Sequence, residues 1–297
     1  MPDIPFWNKC DNRCVMCTND PSFARQDQAE YRLKGQVEKM ERWLAGRGRG
    51  YLKNSGSADF LSLTGGEPTL HPEFFMLLSY FRKRLPRAQM TLLTNGRRFA
   101  DEDFTRRFAA AARGPFSVAV PLHGPAARAH DAVSGVRGSF AATVKGLANL
   151  MALAPGVALE IRLVLHRMNA AALPRTLAFL LRKFPDVPRY RVVVIHYEIE
   201  GMSAANAARV ELRLTDSAVA LAAALPVIER FPDLRLYHFP LCVLPAALRP
   251  RCRITQPRED RAYPPACRGC AARRRCPGLM TEYFRRFGAG ELRRLRA

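Results

Sequence analysis

The sequence lacks a hydrophobic run long enough to cross a membrane. Its longest apolar stretch, residues 218–228, is interrupted by Pro226, whereas a membrane-spanning helix needs about 18 apolar residues. The first three residues, Met-Pro-Asp, do not have the basic and apolar segments of a secretory signal. With 297 residues, 48% hydrophobic and 25% charged, the chain has a globular composition. These features predict a soluble, cytoplasmic protein without a membrane partner, built as one large α/β domain with an appendage or as two ordinary domains.

Lysine is also scarce, since only seven of the 47 basic residues are lysines. The formal net charge is nevertheless +21, which favours binding to nucleic acid, anionic surfaces or acidic peptides. Genome composition explains such an arginine bias equally well. Fourteen arginines and four acidic residues lie in residues 249–297, so we expect any anionic partner to bind near that end.

Cysteine is absent from residues 18–241, and the eight cysteines fall into two groups. A disulfide framework would scatter them along the chain, and no export signal is present. The tight spacings therefore favour metal ligation by thiolates in a reducing compartment. The N-terminal group is Cys10, Cys14 and Cys17, and the C-terminal group is Cys242, Cys252, Cys267, Cys270 and Cys276.

The N-terminal group has the spacing C-x3-C-x2-C. A [4Fe–4S] cluster normally takes four cysteines, so three cysteines without a local fourth leave one iron available for another ligand. The alternative is a zinc site with a distant fourth ligand. The triad by itself favours the iron–sulfur cluster.

The C-terminal group contains the spacing C-x2-C-x5-C. This spacing suits a zinc site as well as a second iron–sulfur cluster, because four thiolates satisfy either metal. Five cysteines compete for four positions. We favour the set without Cys252, which is then an ordinary thiol or an alternative ligand. The favoured ligands are Cys242, Cys267, Cys270 and Cys276.

Strand and helix patterns alternate along the first two hundred residues. Helical spacing of apolar residues follows short apolar runs, which predicts six strand–helix units, a parallel sheet and a full or partial barrel. Ligand chemistry then collects at the carboxyl ends of the strands. The predicted strands are residues 4–7, 60–64, 90–93, 116–122, 159–165 and 191–197.

Chemically informative residues follow four of these strands: Cys10, Gly65–Pro68, Asn95 and His123. The glycines lack a Cβ and allow the backbone to approach a ligand closely, while Glu67 is an acceptor suited to an ammonium group. Taken alone, Gly-Gly-Glu-Pro and Asn-Gly are turn signals. Their position one and two strands after the cysteine triad favours a shared site.

These residues resemble the radical S-adenosylmethionine (SAM) superfamily, whose signature is the C-x3-C-x2-C triad followed by a Gly-Gly-Glu-Pro motif. Met16 departs from the family pattern, which has an aromatic residue before the third cysteine. The resemblance implies an α/β fold, a partial (β/α)6 TIM-type barrel, over residues 1–225. The tail, residues 226–297, resembles the SPASM and twitch extensions, which implies a small cysteine-rich domain with an auxiliary [4Fe–4S] cluster.

The resemblance also implies a cofactor site. Cys10, Cys14 and Cys17 would hold a [4Fe–4S] cluster whose open iron binds SAM, and cleavage of SAM would supply a 5′-deoxyadenosyl radical that abstracts hydrogen. The implied SAM-binding residues are Gly65, Gly66 and Glu67 at the methionyl amino group, Arg162 at its carboxylate, and with them Pro68 and Asn95.

A narrower resemblance, on residues 160–166, 240–245 and the final cysteines, is to the radical maturases of His-Xaa-Ser repeat peptide systems. It implies an oxidoreductase that cross-links or oxidises a ribosomally made precursor peptide with electrons from a flavodoxin or ferredoxin. Only nine residues precede Cys10, so we expect a separate peptide-recognition or partner maturase protein.

Two alternatives stay open. One is a radical SAM enzyme acting on tRNA or a small metabolite, and the other is a non-catalytic nucleic-acid-binding protein stabilised by zinc. The sequence identifies no catalytic acid or base. Possible pocket residues are His123, Glu198, Tyr263 and Tyr283.

Overall fold

The structure is a computed structural model that describes residues 3–47 and 59–296. Eight of its strands form one sheet, in which neighbouring strands are consecutive along the chain. They are β1 (Asp3–Trp7), β2 (Phe60–Gly65), β3 (Gln89–Leu93), β4 (Phe116–Pro121), β5 (Ala158–Leu165), β6 (Tyr190–His196), β7 (Leu234–Tyr237) and β8 (Cys252–Arg253). A separate antiparallel pair joins β9 (Arg261–Ala262) and β10 (Leu279–Met280).

Helices follow most strands of the large sheet. They are α1 (Leu33–Leu44), α2 (Phe74–Arg84), α3 (Glu102–Ala111), α4 (Ala127–Ser134), α5 (Ser139–Leu153), α6 (Leu173–Lys183), α7 (Gly201–Ala205), α8 (Ala207–Val210), α9 (Leu214–Ala223), α10 (Leu225–Ile228) and α11 (Thr281–Phe287). Among the described residues, none of these helices combines the length and apolar character required to span a bilayer.

The chain divides into two compact units that alternate along the sequence. The first comprises residues 1–13, 19–121 and 136–160, and the second comprises residues 14–18, 122–135 and 161–297. The predicted boundary between residues 225 and 226 is not one of these divisions and stays a prediction.

In the first unit, β1 to β4 pair in parallel. The side chains that cover this ladder are largely aromatic, and Phe6 lies 5.9 Å from Phe74 and 5.5 Å from Phe81 between ring centroids. Phe99 and Phe108 extend the cluster, with their ring centroids 4.9 Å apart. Such rings bury large apolar areas, so this cluster contributes to the hydrophobic core of the unit.

In the second unit, β6, β7 and β8 pair in parallel. Val192, Val193 and Val194 are all fully buried, as expected for a strand of a parallel sheet covered on both faces. Pro226 lies in the first turn of α10, where a proline is tolerated, and it separates α9 from α10. The apolar stretch is therefore two short helices.

The sequence-based expectation of an α/β fold with six strand–helix units is confirmed. The strands β7 and β8 were not predicted, because four residues and two residues are too short for a clear alternation pattern. A sheet with consecutive parallel strands places their carboxyl ends at one edge. The Cys10 loop follows the end of β1, and the Gly-Gly-Glu-Pro loop begins at the end of β2.

Candidate cofactor and cluster sites

The Gly-Gly-Glu-Pro loop begins where β2 ends and packs against the backbone that follows β1. Gly66 N donates to Trp7 O at 2.6 Å, and Glu67 N donates to Lys9 O at 2.7 Å. Gly65 has a φ of +124°, and a Cβ there would lie 2.4 Å from Trp7 O. A Cβ on Gly66 would lie 2.3 Å from Lys9 O. The contacts that require glycine at both positions therefore come from the chain itself.

Glu67 is buried and connects the ends of β2 and β3. Its Oε1 accepts hydrogen bonds from Thr69 N at 3.0 Å, Thr69 Oγ1 at 2.6 Å and Thr94 Oγ1 at 2.6 Å. Its Oε2 accepts one from Asn95 N at 2.6 Å. Burial raises the pKa of this carboxyl, while the four donors act in the opposite direction. Oε1 is fully engaged within the chain, so further acceptor capacity lies at Oε2.

Asn95 and Arg97 hold the loop that carries Cys10. Asn95 Nδ2 donates to Asp11 Oδ1 at 2.6 Å. Arg97 Nη1 lies 2.8 Å from Asp11 Oδ2 and donates to Asp11 O at 2.8 Å and to Asn12 Oδ1 at 3.0 Å. We call Asp11, Asn95 and Arg97 the loop clamp. It fixes the backbone directly after Cys10 to the end of β3.

The N-terminal cysteines differ in their surroundings. Cys10 is exposed and belongs to the first unit, and its Sγ accepts a hydrogen bond from Asn12 N at 3.4 Å. Cys14 and Cys17 are half-buried and belong to the second unit. There Ser203 N donates to Cys17 O at 3.1 Å, which ties this segment to α7. An N–H donor aimed at a sulfur fits a thiolate ligand, because it stabilises the negative charge.

Four C-terminal cysteines line one cavity in the second unit. The cavity is also lined by Tyr263, whose hydroxyl donates to Cys276 O at 2.8 Å, and by Arg273, which lies 5.5 Å above the Tyr263 ring. Across the described ranges, no three or more His, Cys, Asp or Glu side chains converge tightly enough to hold one metal ion. The cysteines around the cavity are Cys242, Cys267, Cys270 and Cys276.

Backbone donors point at one of these sulfurs. Cys276 Sγ accepts hydrogen bonds from Leu241 N at 3.3 Å and Gly278 N at 3.4 Å. Burial raises the pKa values of the Cys242 and Cys267 thiols, and coordination to a metal reverses this effect by deprotonating the thiol. This donor set fits an iron–sulfur cluster with cysteine ligands.

Cys252 behaves differently from the cysteines of the cavity. Its Sγ donates to Phe239 O at 3.3 Å, so it is engaged as a thiol. Burial raises its pKa to about 12. It does not line the cavity in the described chain. These contacts are those of a thiol, and whether Cys252 is an ordinary thiol or an alternative ligand stays a prediction.

The other candidate residues lie on β5, on α11 and in the segments that follow β2 and β4. Arg162 lies half-buried on β5, and its carbonyl accepts a hydrogen bond from Leu122 N. Tyr283 is buried, and its hydroxyl accepts from Leu214 N at 2.9 Å and donates to Glu291. Pro68 is buried in the first turn of a short 3-10 helix. His123 is buried, and burial holds its pKa well below the usual histidine value.

A comparison with protein families decides the assignment. The sequence profile of the radical SAM superfamily matches residues 4–180, which is more than half of the chain. The chain belongs to the radical SAM superfamily. Members of this family carry a [4Fe–4S] cluster and bind SAM, so the radical SAM chain described here is expected to do both. The match covers the cysteine triad and the Gly-Gly-Glu-Pro loop.

A curated relative of this radical SAM chain is the mycofactocin maturase MftC of Mycobacterium tuberculosis. The two are 30% identical over 167 residues, which is 55% of this chain and 37% of the maturase. The chain thus aligns with less than half of the length of the curated relatives it matches.

Solved structures share the radical SAM fold. Streptococcus suis SuiB bound to precursor peptide SuiA has a TM-score of 0.57 at 16% identity, covering 78% of this chain and 47% of SuiB. The anSMEcpe protein with bound AdoMet and Kp18Cys peptide has a TM-score of 0.53 at 17% identity, covering 78% of this chain and 62% of that protein. These similarities confirm the predicted partial-barrel fold.

Some contacts around the candidate site were not predicted from the sequence. The loop-clamp residues Asp11 and Arg97 are 86 positions apart, so local spacing cannot pair them. The sequence did contain one recurring pattern that marks the carboxyl ends of the strands. A histidine follows or ends each of β4, β5, β6 and β7. These histidines are His123, His166, His196 and His238.

Proposed function

We propose that this radical SAM chain modifies a ribosomally made precursor peptide, by cross-linking or oxidising it. The observation that carries the proposal is the four-cysteine cavity in a chain whose N-terminal part belongs to the superfamily. Further support comes from the similar proteins, which include a maturase by name and two structures with bound peptides. A cluster in that cavity would equip the enzyme for oxidation beyond the first hydrogen abstraction.

In this proposal Cys10, Cys14 and Cys17 hold the first [4Fe–4S] cluster. Bound SAM would supply the 5′-deoxyadenosyl radical, which is the chemistry of the cofactor. The chain orients the cofactor: Gly65, Gly66, Glu67 and Pro68 form its amino-group site, Asn95 lies beside Glu67, and Arg162 serves the carboxylate. Because Glu67 Oε1 already has three donors, we assign the ammonium contact to Oε2 and to backbone carbonyls.

Cys242, Cys267, Cys270 and Cys276 hold an auxiliary [4Fe–4S] cluster in the same proposal. The support is the cavity that these cysteines line and the two N–H donors on Cys276 Sγ. Hydrogen bonds to cluster sulfurs raise the reduction potential. A raised reduction potential would make it easier for this cluster to accept an electron.

The partners in the proposal are a precursor peptide, a flavodoxin or ferredoxin as electron donor, and a separate protein that recognises the peptide. The cytoplasm is the compartment that we assign, because reduced thiols and reducing carriers are found there.

The test is an anaerobic assay of the reconstituted protein with dithionite, SAM and the small peptide encoded beside its gene. We expect 5′-deoxyadenosine and a loss of about two mass units from the peptide, since an oxidation removes two hydrogens. The Cys10, Cys14 and Cys17 triple Ala variant should yield neither product, whereas Cys252→Ser should yield both. If wild-type protein formed 5′-deoxyadenosine and left the peptide unchanged, the peptide substrate would be wrong and the superfamily chemistry would stand.

A further inference from the structure

His238 has an unusual backbone conformation. Its φ is +68°, and it is the one non-glycine residue with positive φ among the described ranges. Side chains other than Asn, Asp and His rarely adopt this region, and residues held there cluster at functional sites. His238 follows β7 directly, at the carboxyl end of a strand of the parallel sheet.

The His238 ring faces two acceptors. Its Nδ1 lies 3.3 Å from His196 O and 3.7 Å from Glu198 Oε1. Because both neighbours are acceptors, the hydrogen of the neutral ring belongs on Nδ1, and Nε2 is the basic nitrogen. A carboxylate beside Nδ1 also stabilises the imidazolium that forms when Nε2 takes up a proton.

Glu198 is held in place by its own contacts. Its backbone oxygen accepts a hydrogen bond from the Ser203 hydroxyl, and Gln256 Nε2 donates to its Oε1 at 3.4 Å. The pairing of Ile195 with Tyr237 sets the register between β6 and β7. The strand register therefore brings Glu198 and His238 together, and both belong to the second unit.

The pair is partly exposed, whereas the other histidines at strand ends are buried. The side chains of His238 and Glu198 are 11% and 27% exposed, whereas His123, His166 and His196 are buried. Cys242, which lines the four-cysteine cavity, follows His238 by four residues. His238 thus lies on the segment that connects β7 to that cavity, and Glu198 lies on the segment that follows β6.

We propose that Glu198 and His238 form the proton acceptor for the oxidative step of peptide modification. This inference rests on the proposed function. Bound SAM would supply the radical that abstracts hydrogen, and the peptide would then carry a carbon radical. When this carbon bonds to the X of an X–H group, the X–H bond breaks, and one proton and one electron leave. The proton would go to His238 Nε2, and a bound iron–sulfur cluster would be the one-electron acceptor.

The test uses His238→Asn and Glu198→Gln, with Glu229→Gln as the matched control at an exposed carboxylate of the same unit. Asparagine tolerates positive φ, so His238→Asn removes the base and keeps the backbone. We expect 5′-deoxyadenosine formation within about twofold of wild type and modified peptide at least about tenfold lower in His238→Asn. Glu198→Gln should show a smaller loss in the same direction.

A second readout follows the stalled radical. In D2O buffer with excess reductant, a carbon radical that does not form the C–X bond takes up one electron from the reductant and one deuteron from the solvent. The recovered peptide then gains one mass unit. Iron content and the peptide Kd should match those of Glu229→Gln. Unchanged product yield, or equal loss of 5′-deoxyadenosine and product, would overturn the inference. A wild type that forms no 5′-deoxyadenosine would instead contradict the proposed function.

Discussion

His166 couples the stability of the protein to pH through a single buried side chain. Neither of its ring nitrogens has a hydrogen-bond partner in the described chain, and burial lowers its pKa to about 4. The unfolded chain takes up a proton near the ordinary pKa of about 6.5. Protonation of His166 therefore favours the unfolded chain. The free energy of unfolding is unaffected above pH 6.5 and decreases as the pH falls from 6.5 toward 4.

Replacing His166 with Leu should remove the His166 contribution to the pH dependence of stability, at little cost in stability at neutral pH. We expect a free energy of unfolding at pH 7.5 equal to or above wild type, because two unsatisfied buried nitrogens disappear. Between pH 6.5 and 4, the slope of the free energy of unfolding against pH should be smaller than in wild type by about 1.4 kcal/mol per pH unit. Urea unfolding at several pH values measures both quantities.

His71→Leu is the matched control for this variant. His71 Nε2 lies 2.7 Å from Tyr31 O, and its Nδ1 accepts from Glu73 N at 2.9 Å. Losing both bonds should destabilise the protein by about 2 kcal/mol at pH 7.5. Equal destabilisation by the two variants would show that His166 has a partner in solution.

Iron content after substitution of single cysteines shows which C-terminal cysteines are cluster ligands. Cys252→Ser should retain the iron of wild type, because Cys252 Sγ is engaged with Phe239 O. Cys276→Ser should lose about four irons per chain, the content of one cluster. Iron and sulfide analysis after anaerobic purification measures the difference, and loss of iron in Cys252→Ser would place that residue among the ligands.

At the scale of elements, the loop after β2 depends on close backbone packing. Gly66→Ala would put a Cβ 2.3 Å from Lys9 O, and backbone cannot move aside as a flexible side chain can. We expect destabilisation of at least about 2 kcal/mol and reduced iron in the purified protein. Gly156→Ala is the control, since a Cβ at that position would have no described atom within 4 Å. A stable, fully loaded Gly66→Ala protein would contradict this packing.

The loop clamp connects the end of β3 to the Cys10 loop through Arg97. Arg97→Ala removes three contacts with Asp11 and Asn12, so the Cys10 loop should hold its cluster less firmly. We expect faster iron loss to a chelator, by about tenfold if the clamp contributes about 1.4 kcal/mol. Arg98→Ala is the neighbouring control, because Arg98 stacks on Phe104 instead. The same rate of iron loss in both variants would show that the clamp does not retain the cluster.

At the scale of the whole molecule, the net charge of +21 supports the alternative of an RNA substrate. If the basic residues bind RNA, the affinity should fall steeply as salt is added. The slope of log affinity against log salt concentration is then proportional to the number of phosphates contacted. If the charge is compositional, tRNA and a random anionic polymer should bind equally weakly at about 150 mM salt. We expect equally weak binding of both polymers. Fluorescence anisotropy across a salt series distinguishes this outcome from RNA binding.

The α/β alternation, the two cysteine groups and the family could be predicted from the sequence, because each depends on local spacing. Helical periodicity, strand runs and ligand motifs such as C-x3-C-x2-C are written within a few residues of one another. The Gly-Gly-Glu-Pro motif was identified in the same way, without knowledge of its contacts.

The contacts between distant side chains could not be predicted and became visible in the folded chain. Glu67 takes its donors from two strand ends, Arg97 reaches the loop after Cys10, and Cys252 stands outside the cavity of its neighbours. Glu198 and His238 are 40 positions apart and meet because β6 pairs with β7. Contacts of this kind depend on strand register and loop path, which the packing of the whole sheet sets and which no local pattern encodes.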